Sequence, residues 1–286
     1  MELQWPLILF TTLVGASAGL FAAQGVYALA GRGAKAQAPA LAASAILLVV
    51  GGVAVFLHLE HWERIFNGFG HLSSGITQEL VAVIVMAAAM AAFFAVLRRG
   101  AGVPRWCAVL AIAASAALVL VMGLSYLMAA RPAWNNALQV LSLFGLASAA
   151  GPGILAIFAK DPKDAGLNGG CALVGTVANA ACTVAFALMM AGAVSQFVDV
   201  GYYFDPNHPT EAMVEASAFS PFSSGAVGLT AGAVALSLAA VAFAVYGKRS
   251  GSWKAAGSGV AICALAGAVL LRAAFFACGG SVFMFY

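Results

Sequence analysis

Three of the four histidines of this 286-residue chain, His58, His61 and His71, fall within fourteen positions. A carboxylate, Glu79, follows eight residues later, just inside an apolar run. Ionisable groups at membrane depth are costly, and they face a cavity or a partner. His58 closes one apolar run and Glu79 opens the next, so the two can share one depth on neighbouring helices. An imidazole beside a carboxyl at a membrane edge is suited to accept the two protons that a quinol loses with its electrons. The competing reading makes His58 an interfacial residue bonded to a backbone carbonyl, and His61 and His71 solvated loop residues.

Arg272 lies deep in the last apolar run, with no Lys near it. A lone guanidinium there needs a counter-charge or a water-filled cavity. Glu79 is the expected carboxylate, in a structural salt bridge or in a shared site.

These groups sit in a chain that is 63% hydrophobic and 8% charged. A soluble domain carries about 25% charged residues, so too few polar side chains exist to cover a water-facing surface. Continuous apolar runs fall near 6–30, 39–58, 76–97, 105–129, 138–159, 170–197, 221–246 and 255–280. Each is long enough to cross a bilayer as a helix, which takes roughly 20 residues. They do not alternate as barrel strands do. The expected fold is an all-α integral membrane protein, a bundle of eight transmembrane helices in one domain spanning 1–286. No internal sequence repeat is evident. The first run lacks a basic leader and a cleavage site, so it reads as a retained span.

Charge sets the orientation. Ten of the thirteen basic residues fall after spans one, three, five and seven: Arg32, Lys35, Arg98, Arg99, Arg105, Lys160, Lys163, Lys248, Arg249 and Lys254. The positive-inside rule makes those turns cytoplasmic and both termini outward. The outward side carries Glu2, Glu60, Glu63, Asp199, Asp205, Glu211 and Glu215 and a long aromatic segment, Tyr202 to Pro209, which reads either as a partner-docking loop or as an interfacial belt with turn residues. A net charge of +3 leaves no nucleic-acid footprint.

Haem b needs axial ligands at membrane depth, commonly two histidines. Every histidine here lies at or beyond the outward edge, so no haem is expected. The five cysteines are too scattered for an iron–sulfur cluster or any other metal.

The stretch His58-Leu59-Glu60-His61-Trp62-Glu63-Arg64-Ile65-Phe66-Asn67 resembles the second-span exit of the dimethyl sulfoxide reductase anchor subunit family (DmsC-like), with its His-Leu followed by Arg-x-Phe-Asn. Ser74-Gly75-Ile76-Thr77-Gln78-Glu79 is similar to the family's Ser-x-Leu-Ser-x-Glu, and Trp5-Pro6-Leu7 to its Trp-Pro-Leu opening. Tyr126, Pro132 and Trp134 fit a Tyr…Pro-x-Trp pattern, and Arg272 and Phe275 an Arg-x-x-Phe-Tyr pattern. Departures are Leu124 in place of an arginine, Ala268 in place of a glutamate, Phe276 in place of the tyrosine, and Glu60 and His61 in place of small residues.

The resemblance implies a membrane anchor in the prokaryotic cytoplasmic membrane that oxidises menaquinol. It implies a four-cluster iron–sulfur subunit on the outward face and, beyond it, a molybdopterin catalytic subunit that selects the terminal acceptor. By position, His58 and Glu79 would be the quinol-site residues, and Arg64, Asn67 and Arg272 would shape that site. Transport of a small solute and a purely structural anchor are the alternatives. Transporters tend to place polar residues near the midplane of broken helices, and here the span interiors offer little beyond Glu79 and Arg272.

Overall fold

A computed structural model describes residues 3–57, 61, 67, 69–100, 102–196 and 216–282. His58, Arg64 and most of the aromatic segment after span six, including His208, lie outside the described residues.

Among the described residues, eight helices are long and apolar enough to cross a membrane. They are α1 (Trp5–Leu29), α2 (Gln37–Phe56), α3 (Gly75–Arg98), α4 (Arg105–Leu124), α5 (Ala137–Phe158), α6 (Ala165–Gly192), α7 (Val227–Ser250) and α8 (Trp253–Ala277). No strand occurs among the described residues. Their breaks follow local chemistry. Gly31, Gly33, Gly100, Gly102 and Gly251 take positive φ at the tight basic turns, a region that glycine enters without a Cβ clash.

Two spans begin away from their expected positions. Helix α6 starts at Ala165 rather than 170, because the polar, glycine-rich start Asn168-Gly169-Gly170 is helical and Asn168 is buried with its bonds satisfied. Helix α7 starts at Val227 rather than 221, because Pro221, Ser223, Ser224 and Gly225 form turns first.

The packing has an order that the sequence hides. Helices α1 to α4 close a ring in chain order, with α2 leaning only lightly on α3; α5 to α8 close a second ring in the same way. The rings join mainly along α1 and α5, the equivalent first helix of each, which run in the same direction. Contact at that seam is backbone to backbone. A Cβ on Gly19 would lie 2.0 Å from the Ala147 carbonyl oxygen, and one on Gly151 would lie 2.2 Å from the Gly19 carbonyl. Small residues permit such approach in membrane helices, where dispersion and weak polar contacts replace a hydrophobic drive between helices.

Two pairs of buried polar residues join α1 to α2. Ser17 donates to the Ser44 carbonyl at 2.7 Å and Ser44 to the Ser17 carbonyl at 2.9 Å. Gln24 and Gln37 exchange bonds at 2.8 and 3.2 Å. Outer faces expose aliphatic side chains such as Ile46, Val50, Ile84, Val174 and Ile262, as lipid contact requires. The chain is a multi-pass membrane protein.

Candidate functional site

Glu79 lies one turn into α3, and its residue is 8% exposed. Beside it α4 ends at Leu124, with Ser125 as its C-cap. The two helix ends approach closely because position 75 is glycine: a Cβ there would sit 3.0 Å from the Ser125 Cβ. The Ser125 hydroxyl donates to the Glu79 carboxyl and also has the Met122 carbonyl within reach at 3.0 Å. A hydroxyl has one proton to give, so the carboxyl and the Met122 carbonyl compete for it. Serines are common at helix ends, and nothing in the sequence singled this one out.

Glu79 and Ser125 line a cavity of about 450 Å³. Its walls are Leu7 and Phe10 of α1, Gly52, Val55 and Phe56 of α2, Leu80 and Val83 of α3, and Tyr126 and Met128 beyond α4. That volume falls within the roughly 300–1,000 Å³ that small-ligand sites occupy, and the pattern of apolar walls with few polar groups is theirs too. Phe56 and Ile76 at its rim are 38% and 60% exposed. A larger cavity of about 540 Å³ lies between α1, α4, α5 and α6, but Ser115, Ser148 and Cys171 are its main polar lining and it holds no charged group.

Arg272 does not reach Glu79. It is 3% exposed and donates to the Ser142 hydroxyl at 2.9 Å. Its guanidinium lies over the Phe275 ring at 5.1 Å, and Nη1 has no hydrogen-bond partner among the described residues. The expected Glu79–Arg272 pair is therefore replaced by an arrangement with Tyr126 within electrostatic reach of both. Similar depth did not mean adjacency: Arg272 belongs to the second ring and Glu79 to the first. The site walls are correspondingly α1, α2, α3 and the segment after α4, with no residue of α8. Asn67 and His71 are exposed, as is His61, and none of them lines the cavity.

The remaining motif residues converge beside this site. Trp134 stacks on Phe275 at 4.4 Å and 12°, and its indole N–H donates to the Phe275 carbonyl at 2.7 Å. Arg131 covers the other side of Trp134 at 4.2 Å and donates to the Gly279 carbonyl at 2.9 Å. Tyr126 meets Trp134, Phe275 and Phe276 edge-on. The result is a column, Arg131 on Trp134 on Phe275 on Arg272, that ties the α4–α5 connection to the end of α8. Tyr126, Leu7 and Met128 belong both to this column's surround and to the cavity wall.

Among the described residues no three His, Cys, Asp or Glu side chains gather as a metal site, and the five cysteines are free.

No curated protein matches the chain. A family model does: residues 1–195 match the model described as DMSO reductase anchor subunit (DmsC). The match takes in α1 to α6 in full, and so Glu79, Ser125 and the whole cavity wall; Arg272 and Phe275 lie beyond it. With more than half of its length matched, the chain belongs to the DmsC family, the membrane anchor subunits of DMSO reductase-type complexes, which associate with catalytic and iron–sulfur subunits.

Proposed function

We propose that this anchor oxidises menaquinol in the Glu79 cavity and passes the electrons to a four-cluster iron–sulfur subunit, which feeds a molybdopterin catalytic subunit. The observation that carries this reading is the placement of a buried carboxyl, with a hydroxyl donor on it, in a largely apolar cavity whose rim is exposed. Phe56 lines the cavity and precedes His58 by two residues in the chain, which supports His58 as the second proton acceptor.

In this reading the quinol enters from lipid past Phe56 and Ile76, with its ring against Phe10, Val55 and Leu80. One hydroxyl faces Glu79 and the other His58. Each quinol releases two electrons and two protons and becomes quinone; the carboxylate and the imidazole take the protons. Ser125 orients Glu79 and Arg64 shapes the surroundings, while Asn67 and Arg272, which stand off the cavity wall, take no direct part. The electrons leave to a cluster in the partner subunit, because this chain is read as holding neither haem nor cluster. Partner and quinol site share the end of the bundle opposite the basic turns, which is the outward face of a prokaryotic cytoplasmic membrane if the basic turns are inside.

The test uses the assembled complex. His58→Ala and Glu79→Gln should each lower quinol-dependent turnover by about 10²–10⁴-fold, the usual worth of a positioned acid–base group. Turnover with a water-soluble artificial donor to the catalytic subunit should stay unchanged. Quinol-dependent turnover that survives both substitutions removes the assignment.

A further inference from the structure

At the opposite end of the bundle, two short turns meet around a second polar cleft of about 500 Å³. One joins α1 to α2 and brings Arg32 and Lys35; the other joins α5 to α6 and brings Lys160 and Lys163. The carboxylates present are Asp161 and Asp164, and each already accepts a backbone N–H: Asp161 from Lys163 at 3.0 Å, Asp164 from Gly33 at 3.1 Å. Among the described residues none of the four cations has an ion-pair or hydrogen-bonding side-chain partner. Four exposed cations thus share one cleft with two carboxylates, a net charge of +2, and none of the four is held in an ion pair by a described residue.

The cleft is also held in shape. Tyr27, at the end of α1, donates to the buried Asn168 side chain at the start of α6, and Asn168 donates to the Ala159 carbonyl at 3.1 Å. With the Gly33–Asp164 bond, these contacts fasten the two turns to each other. A ligand binding there orders side chains only, not loops, which removes part of the usual entropic cost.

Its surroundings tell what kind of anion fits. Pro39 and the half-buried Phe158 form an apolar flank. From Pro39 the exposed residues Ile46, Val50 and Val53 follow at helical spacing along one stripe of α2. At 1.5 Å per residue that stripe runs about 21 Å into the bilayer depth, more than one leaflet's hydrocarbon, about 15 Å. Cations at the helix ends above a continuous apolar stripe match an anion with a hydrocarbon chain.

We infer that the cleft formed by Arg32, Lys35, Lys160 and Lys163 binds the phosphate of an anionic phospholipid, whose acyl chain lies along the Pro39–Val53 stripe of α2. The site is separate from the quinol reading and does not depend on it. Juxtamembrane cations attract anionic headgroups generally, and each contributes about a fivefold preference. The cleft differs from such a surface in that four of them share one enclosed, braced site.

The experiment reads bound lipid by native mass spectrometry of the full chain released from nanodiscs of equal phosphatidylglycerol and phosphatidylcholine. The wild-type chain should retain phosphatidylglycerol over phosphatidylcholine. The triple substitution Lys35→Gln, Lys160→Gln, Lys163→Gln should lower that enrichment at least tenfold. Removing three charges from the α3–α4 turn at the same end (Arg98→Gln, Arg99→Gln, Arg105→Gln) should change it less than twofold. A third arm needs no variant: inorganic phosphate in millimolar excess should leave the retained phosphatidylglycerol in place. Equal loss in both triple variants, no enrichment in the wild type, or displacement by inorganic phosphate would each overturn the proposal; the last would reassign the cleft to free phosphate.

Discussion

Replacing Gly19 by alanine tests the seam that joins the two rings. The new Cβ would stand 2.0 Å from the Ala147 carbonyl oxygen, about 1.4 Å short of ordinary contact at 3.4 Å. Its neighbour is backbone, so no side chain can swing aside, and α1 and α5 must retreat by about 1 Å. A gap of 0.5–1 Å forfeits a quarter to a half of each dispersion contact across it. The residues that lose contact are Ala16, Leu20, Leu146, Ala149 and Ala150, all at most 2% exposed. Overpacking costs typically 1–3 kcal/mol, and an unyielding backbone places this site at the upper end, about 3 kcal/mol.

Gly151→Ala should cost a similar amount, because its Cβ would meet Gly19 at 2.2 Å. The double variant should cost clearly less than the sum, since either methyl alone already forces the same separation; groups in contact couple in this way by about 0.5–3 kcal/mol. Gly170→Ala in α6, where nothing lies within 4 Å, is the comparison and should be neutral or slightly stabilising. Unfolding of the purified chain in mixed micelles, titrated with a denaturing detergent and followed by tryptophan fluorescence, measures all four. A Gly19→Ala midpoint equal to that of Gly170→Ala would falsify the backbone-contact argument.

Other substitutions address the site and its supports. Ser125→Ala removes the donor to Glu79 while leaving the carboxyl present. A lost bond to a charged or buried partner is worth about 1–3 kcal/mol, so quinol-dependent turnover of the complex should fall about tenfold, less than with Glu79→Gln, and an unchanged rate would show that Ser125 does not position the carboxyl. Trp134→Ala dissolves the Arg131–Trp134–Phe275–Arg272 column and should cost about 3–5 kcal/mol of chain stability; a loss below 1 kcal/mol in the same unfolding assay would mean the column is not structural. Tyr27→Phe strips the Asn168 carbonyl of its buried donor and should cost about 1–3 kcal/mol, measured in that assay, with quinol turnover at the far end of the bundle unaffected.

The sequence made the eight spans and their basic turns readable because apolar runs and charge placement act locally. The start of α6 at Ala165 was not legible because asparagine and glycine mean loop in water, whereas the buried Asn168 with partners is stable inside a helix; the start of α7 at Val227 was not, because the apolar residues of 221–226 mask the turns that Pro221, Ser223 and Gly225 make. Glu79 stood out as a carboxyl inside a span. Ser125 did not, since its role comes from a meeting of two helix ends that Gly75 allows. The Glu79–Arg272 pairing failed for a related reason: hydropathy gives depth along the bilayer normal and says nothing of which helix stands beside which. The ring order itself left no readable repeat, because it is built from where small residues fall rather than from which residues they are. Tyr126, Trp134 and Phe275 were visible as family-pattern residues, but only the fold stacks Trp134 on Phe275 with Tyr126 edge-on to both.

In the proposed quinol reading, the light contact between α2 and α3 makes the hydrocarbon phase the route to the Glu79 cavity. A molecule arriving that way comes dissolved in the hydrocarbon phase, so what governs occupancy is its mole fraction among the lipids, not its molarity in the surrounding buffer. Diluting a sample with extra detergent should then look like weaker binding even though the protein is unchanged, and half-saturation values become comparable between preparations only when normalised to total amphiphile.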